Sequence, residues 1–99
     1  MASKVDLNFE WDDDKAAGNL RKHKVSFDEA KTVFADPFSI TISDAEHSDD
    51  EYRFVDIGAS VNGRVIVVVY AERASKTRLI SSRQATKAER YKYEERKEL

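Results

Sequence analysis

The chain has 99 residues, no cysteine and a formal net charge of −2. That length supports one domain with a single core, here residues 1–99; the lack of cysteine excludes disulfides and thiolate metal sites, and no apolar run approaches the roughly 18 residues of a membrane span. A soluble, cytoplasmic protein without membrane contact is expected, and because the total charge is not basic, any affinity for nucleic acid has to be sought segment by segment.

Leu7 to Trp11 alternates apolar and polar residues as a short strand does, with Phe9 and Trp11 inward. Asp12-Asp13-Asp14 offers an N-cap and an acidic first turn to a helix from Lys15 to His23, in which Ala16, Leu20 and His23 share a face. Its cationic end, Arg21 to Lys24, complements the helix dipole. Ser26 to Glu29 has capping-box spacing and Phe27, Ala30, Val33 and Phe34 recur at helical intervals, so a second helix is expected. Asp36-Pro37 ends it, because the residue before proline is pushed out of the helical region. Phe38 to Ser43 alternates strictly, predicting a half-buried strand with Phe38, Ile40 and Ile42 inward. After an acidic loop from Asp44 to Glu51, Tyr52 to Ser60 reads as a strand whose apolar phase slips between Phe54 and Val55, where a bulge is expected.

The stretch from Gly58 to Arg83 organises the rest. Asn62-Gly63, between two apolar runs, predicts a two-residue type I′ hairpin. Val65 to Tyr70 is apolar at every position, which suits a central strand covered on both faces. The polar segment Ala71 to Lys76 turns the chain into a further strand, Thr77 to Ser82. Thr86 to Glu89 is another capping box, opening a C-terminal helix to about residue 97. Only Ala88, Tyr91 and Tyr93 offer it apolar anchors, so it is expected to dock loosely or to await a partner.

Charge is distributed in blocks. Residues 15–31 carry five Lys/Arg against two Asp/Glu and residues 57–83 five against one, whereas 1–14 and 32–56 are acidic. If the fold joins the two basic blocks, they make a local anion-binding surface despite the acidic total.

The motifs Phe-Glu-Trp-Asp (9–12), Lys-Ala-Ala-Gly-Asn (15–19), Lys-His-Lys-Val-Ser-Phe (22–27), Val-Phe-Ala-Asp-Pro (33–37), Val-Val-Tyr-Ala-Glu-Arg (68–73), Arg-Leu-Ile-Ser-Ser-Arg (78–83) and Ala-Thr-Lys-Ala-Glu-Arg (85–90) follow one another in an order that resembles the BrnT toxins of bacterial type II toxin–antitoxin systems. The resemblance covers almost the whole chain. It implies an α+β, RelE-like fold: a twisted antiparallel sheet with two N-terminal helices and a C-terminal helix. It also implies ribonuclease activity that arrests translation, and neutralisation by a cognate DNA-binding antitoxin, with two copies of each protein in the complex and DNA contacted through the antitoxin. Lys24 stands where the family usually has glycine, and Tyr52, Ala71 and Ser82 also depart from its common residues.

An RNA strand is cut without a metal when a base removes the 2′-hydroxyl proton, cations stabilise the charged phosphorane and an acid protonates the leaving 5′-oxygen. Candidate catalytic residues are Arg64, Arg73 and Arg83 on the phosphate, with Glu72 or His23 as base or acid. Lys22, Lys24 and Arg78 are candidate RNA contacts, and Tyr70 a platform on which a base stacks. Each has a plainer reading: His23 as a packed or helix-capping residue, Glu72-Arg73 as a turn ion pair, Arg64 as a residue following a tight turn, Tyr70 as core. Arg83 is the hardest to explain by packing. No metal or cofactor is expected, since His47 with Asp44, Asp49 and Asp50 has no fixed ligand spacing. The competing class is a non-catalytic module that binds an antitoxin or nucleic acid.

Overall fold

The apolar run Val65 to Tyr70 lies in the middle of a five-stranded sheet, where a strand covered on both sides belongs. The computed structural model describes residues 8–44 and 51–98. Its strands are β1 (Asn8–Glu10), β2 (Ile40–Ser43), β3 (Tyr52–Ala59), β4 (Val65–Arg73) and β5 (Lys76–Gln84), in the spatial order β1-β5-β4-β3-β2. The last four pair antiparallel, as expected, and β1 adds a parallel edge beside Lys76 to Arg78. The helices are α1 (Asp13–His23), α2 (Phe27–Ala30), prolonged by a 3-10 turn over Lys31–Ala35, and α3 (Lys87–Lys97). Leu7 and most of the acidic loop lie outside the described residues.

Alternation along β4 divides the core in two. Ile66, Val68 and Tyr70 pack with Leu79 against Val25, Phe27, Ala30 and Val33 of the α1–α2 layer. Val67 and Ile57 pack on the other face against Tyr93 of α3. β3 serves both layers, Phe54 on the first and Val55 on the second, so its apparent change of phase needs no bulge. The ladder of β3 with β4 is continuous from Tyr52 to Ala59. The bulge lies instead in β5: Val69 faces Ser81 and Tyr70 faces Leu79, leaving Ile80 as the extra residue.

Three local expectations are corrected. The β3–β4 loop has positive φ at Gly63 (82°) and not at Asn62, and Gly63 N–H donates to the Ser60 carbonyl at 2.9 Å while Ser60 N–H donates to Arg64 O. The connection is thus a three-residue loop closed by a left-handed glycine, not a two-residue type I′ turn. Along α1, Leu20 is 49% exposed and the buried residue is Asn19. β1 ends at Glu10, and beyond it the Asn19 amide takes over the edge of β5: Nδ2 donates to Ser82 O at 2.8 Å and Oδ1 accepts from Ser82 N at 3.0 Å. β2 begins at Ile40 and not at Phe38, which lies in the preceding turn at 40% exposure; within the strand Ile40 is partly covered and Ile42 stays 49% exposed. Lys24, at the C-cap of α1, has φ 62°, the left-handed conformation that suits the glycine usual in the resembling family.

Two polar anchors close the domain. Asp36 ends the 3-10 turn, and its Oδ2 accepts from Ala59 N at 2.8 Å and from the Tyr93 hydroxyl at 2.7 Å. Burial pushes the Tyr93 phenol up to about 12, with the Asp36 hydrogen bond acting in the same direction. Gly58 gives this corner room, for a Cβ there would sit 2.9 Å from both Ser39 Cβ and Val33 Cγ1. The second anchor is Glu29. Ser26 Oγ accepts from Glu29 N at 3.0 Å, but the Glu29 carboxylate does not close the capping box; it accepts from Arg64 Nε at 2.8 Å, Arg64 Nη2 at 2.7 Å and Ser60 Oγ at 2.6 Å. Arg64 thereby ties the hairpin to α2, and its Nη2 also donates to the Lys24 carbonyl at 2.6 Å.

Tyr93 is therefore core, contrary to the expected loose docking of α3: Tyr93→Ala should cost about 3–5 kcal/mol in denaturant unfolding, and a chain cut after Thr86, stripped of this contact, should not unfold cooperatively. The Arg64 hydrogen bonds, against a smaller opposing effect of burial, hold the Glu29 carboxyl at about 2 instead of 4.5. A depressed carboxyl stabilises fully above its unfolded value, so this contribution is lost as pH falls from about 4.5 towards 2. Buried Asp56, raised chiefly by desolvation, has the opposite sign: its contribution is present at low pH and lost as pH rises through its folded value. Arg64→Ala should cost about 2–3 kcal/mol at neutral pH, below the figure for a fully buried pair because Arg64 is partly exposed. Urea titrations across pH 2 to 5 should show a shallower acid loss in that variant than in the parent.

Candidate active site on the open sheet face

Cross-strand partners share a sheet face, so the register shows which charged side chains stand together. Val67 and Ala71 mark the α3 face of β4; Arg83 is opposite Val67, while Arg78 and Arg53 flank Ala71 on either side. Arg73 follows two residues after Ala71 on the same face. Four arginines thus share the face that carries α3. Arg78 and Arg83 are five residues apart, a spacing that would put them on opposite faces of a regular strand; the extra residue Ile80 brings both to the same side.

Tyr93 covers this face over Ile57 and Val67, with Ala59 and Val65 alongside. Further along, Val55 and Val69 are only half covered and Ile42 is exposed. The arginines stand around this open half. Glu51, 17% exposed at its side chain, lies between two of them, accepting from Arg78 Nη2 and pairing with Arg73 Nε at 3.7 Å. Arg78 Nε–H is buried without a hydrogen-bond partner among the described residues. Arg83 donates from Nη1 and Nη2 to the two carboxylate oxygens of Glu89 at 2.8 and 2.9 Å. Glu89 also accepts from Thr86 N at 2.8 Å, completing the capping box of α3. The Arg83 hydrogen bonds, with burial opposing, hold the Glu89 carboxyl at about 2.

Not all of the sequence candidates join this group. Arg73, Arg78 and Arg83 do. Arg64 immediately precedes β4 and Arg73 ends it, roughly 30 Å along an extended strand, and Arg64 is bound to Glu29. Glu72 points to the opposite face, paired with Tyr52 and Thr77, so it is not a carboxylate among the arginines. Tyr70 is 5% exposed; its ring meets Phe34 edge-on and stacks on Phe54, and its hydroxyl donates to Asp56 Oδ1 at 3.0 Å. Burial raises its phenol well above the ordinary value, and no ring face is left for a base. His23, half-buried, ends α1 four residues after Asn19, on the packed stripe of that helix. Lys22 is exposed and, with Gly18 and Arg21, lines a depression of about 400 Å³ on the helix edge turned away from α2. Lys24 caps α1, with Nζ donating to Arg21 O at 3.2 Å. Sequence reasoning missed Glu51, Glu89 and Arg53. Glu89 carried a signal, since capping-box spacing after Arg83 puts its carboxylate beside that arginine; Glu51, read as loop, carried none.

Among the described residues no group of three or more His, Cys, Asp or Glu side chains is placed to hold a metal ion, and no helix is long and apolar enough to cross a membrane.

Comparison with solved structures places the same fold in the Brucella abortus ribonuclease toxin BrnT: the TM-score is 0.63 at 20% sequence identity, over 82% of this chain and 99% of that one. No curated protein matches in sequence. Residues 11–89, a span that includes every arginine of the open face together with Glu51 and Glu89, match the family described as the ribonuclease toxin, BrnT, of type II toxin–antitoxin systems, and the chain belongs to that family.

Proposed function

We propose that this toxin is an endoribonuclease that cuts RNA without a metal on the open half of the α3 face, using Arg73, Arg78 and Arg83, and that a cognate antitoxin neutralises it. The observation carrying this reading is the gathering of arginines and one carboxylate over a half-covered apolar floor, on a chain of the BrnT family. Arg53 and Arg78 sit two strands apart, roughly 10 Å, and the rungs of Arg78 and Arg83 are four residues apart, roughly 13 Å, so one stretch of RNA backbone spans all three. In the reaction, the 2′-oxygen loses its proton to a base, bonds to the adjacent phosphorus, and the bond from phosphorus to the 5′-oxygen breaks as that oxygen gains a proton. The developing charge lies on the non-bridging oxygens, where guanidinium groups act as fixed donors. Glu51 is the carboxylate at hand for proton transfer; Glu72 faces away and His23 lies on the helix layer. A surface where arginines outnumber carboxylates repels a divalent cation, which supports phosphate chemistry carried by the protein's own cations. Lys22, beside Gly18 on α1, is suited to a remote phosphate.

The antitoxin half of the reading rests on the family and on surface chemistry. Since Tyr93 is used by the fold, Tyr91, 65% exposed on α3, is the aromatic left for a partner. An antitoxin lying over α3 and the arginine face blocks RNA directly. Two toxins and two antitoxins form the complex, and duplex DNA is contacted by the antitoxin, a chain of net charge −2 being poorly suited to grip it.

Arg73→Ala, Arg78→Ala and Arg83→Ala should each slow cleavage of a defined RNA on the order of 10²-fold in excess chelator, assayed at a temperature where unfolding curves show each variant still folded. Chelator that abolishes cutting by the parent protein would overturn the metal-free chemistry. Light scattering of the co-expressed pair should give the mass of two toxins and two antitoxins, and an Arg73→Ala toxin should retain the antitoxin. A mass corresponding to one of each would reject the stoichiometry.

A further inference from the structure

A guanidinium has two edges that can grip an oxyanion bidentately, the end formed by Nη1 and Nη2 and the side formed by Nε and Nη2. The two conspicuous arginine pairs of this protein use different ones. Arg64 gives Glu29 its side, Nε to Oε2 and Nη2 to Oε1, and spends a further Nη2 donor on Lys24 O. Arg83 gives Glu89 its end, Nη1 to Oε1 and Nη2 to Oε2, and a further Nη1 donor goes to Gln84 O at 3.2 Å. Among the described residues three of the five N–H donors of Arg83 are therefore taken, and the other two, on Nε and Nη2, are parallel and lie on one edge. The Arg83 side chain is 42% exposed and that edge has no partner among the described residues, whereas the equivalent edge of Arg64 is filled.

We infer that Glu89 is a positioning residue for the cleavage reaction: it clamps the end of the Arg83 guanidinium so that the Nε–Nη2 side is presented, already oriented, to two oxygens of the scissile phosphate. This rests on the proposed ribonuclease reading of the arginine face. The support for the clamp is rigid, because the same carboxylate accepts from Thr86 N and Glu89 N–H donates to Thr86 Oγ1 at 3.2 Å, so Glu89 cannot swing without opening the first turn of α3. Arg83 in turn stands on β5 directly beyond the Ile80 bulge, opposite Val67, whose side chain packs against Tyr93. The docking of α3 and the aim of Arg83 are thereby one structural unit. An unclamped arginine reaches the same phosphate only after ordering its own rotamers, a cost that falls on the reaction when geometry is not preset.

Glu89→Gln tests the inference, because glutamine keeps an oxygen for Thr86 N, preserving the capping box, and loses the second charged acceptor that fixes the guanidinium plane. Removing a carboxylate near the bound phosphate lowers repulsion, so a merely electrostatic role would leave kcat unchanged or raise it. The expected result is a kcat lower by roughly tenfold on a defined RNA, with KM changed less than about threefold, at an unfolding midpoint close to the parent. Arg83→Lys, which keeps the charge and loses both edges, should be slower still. A second readout is independent of cleavage: in ¹⁵N spectra of the free toxin the Arg83 Nη groups should give separate, slowly exchanging signals that merge in Glu89→Gln. Unchanged kcat in Glu89→Gln while Arg83→Ala is slow overturns the positioning role and leaves the ribonuclease reading intact. A parent protein that cuts no RNA overturns the ribonuclease reading, and merged Nη signals in the parent overturn the clamp itself.

Discussion

β4 is apolar on both sides, so the sheet requires two covers, and the chain supplies them unequally. On one face Val25, Phe27, Ala30 and Val33 close over Ile66, Val68 and Tyr70, and all seven are nearly inaccessible. On the other, Tyr93 is the one buried residue of α3, and it forms a smaller cluster with Ile57 and Val67, edged by partly buried residues such as Ala59 and Val65. The remaining rungs, at Val69 and Ala71, lie outside the cluster that Tyr93 anchors, yet Ala71 is fully buried. Arg53 and Arg78, its cross-strand partners, have stems suited to cover it, since a long side chain lays its methylenes on apolar surface and keeps its charged head in water. Cations over a bared stretch of sheet are therefore what the fold needs at that end of β4, and also what a phosphate needs.

Because a structural demand and a chemical one coincide on that face, arginine count alone cannot say which residues serve which. The hydrogen-bond geometry can. Arg64 has its side edge filled by Glu29 and a carbonyl beyond it, the satisfied state of a residue that holds a hairpin to a helix. Arg83, with the same kind of partner, keeps two parallel donors. Among the described residues Arg78 keeps a buried Nε–H unmatched. Buried donors without a partner are uncommon in native proteins, and the one on Arg78, on the half-covered face away from the Arg64 lock, separates the two tasks.

Much of this was legible in the sequence. Capping-box spacing located the starts of α2 and α3, Pro37 the end of the 3-10 turn, and six consecutive apolar residues the central strand. Errors arose where a residue's face depends on something distant. Glu72 and Arg73 are neighbours in sequence, and the alternation of the strand sends them to opposite faces. Arg78 and Arg83 meet only because of an extra residue at Ile80, which the pattern Leu-Ile-Ser-Ser does not announce. Asn19 reads as an ordinary polar helix position, yet it completes the hydrogen bonds of a β5 edge that the short β1 leaves open. Loose docking of α3 was expected because the companions of Tyr93, Ile57 and Val67, belong to strands whose outer cover could be identified only once the sheet order was known.

The expected union of the basic blocks does not form on this face, because residues 15–31 belong to the layer on the opposite side of the sheet, and that bears on how the face works. Of the five cations between residues 57 and 83, Arg64 is spent on the fold, while Arg73, Arg78 and Arg83 reach the open face already facing a carboxylate, Glu51 or Glu89. Net positive potential there is smaller than a count of arginines suggests, and screening at physiological salt, with a Debye length of about 8 Å, reduces it further at a distance. Long-range attraction is consequently a small part of what the face offers to a polyanion. What the paired carboxylates leave in place is direction: guanidinium groups whose free donors point where the fold has set them, and directed donors favour a transition state with displaced charge over any phosphate that merely lies nearby.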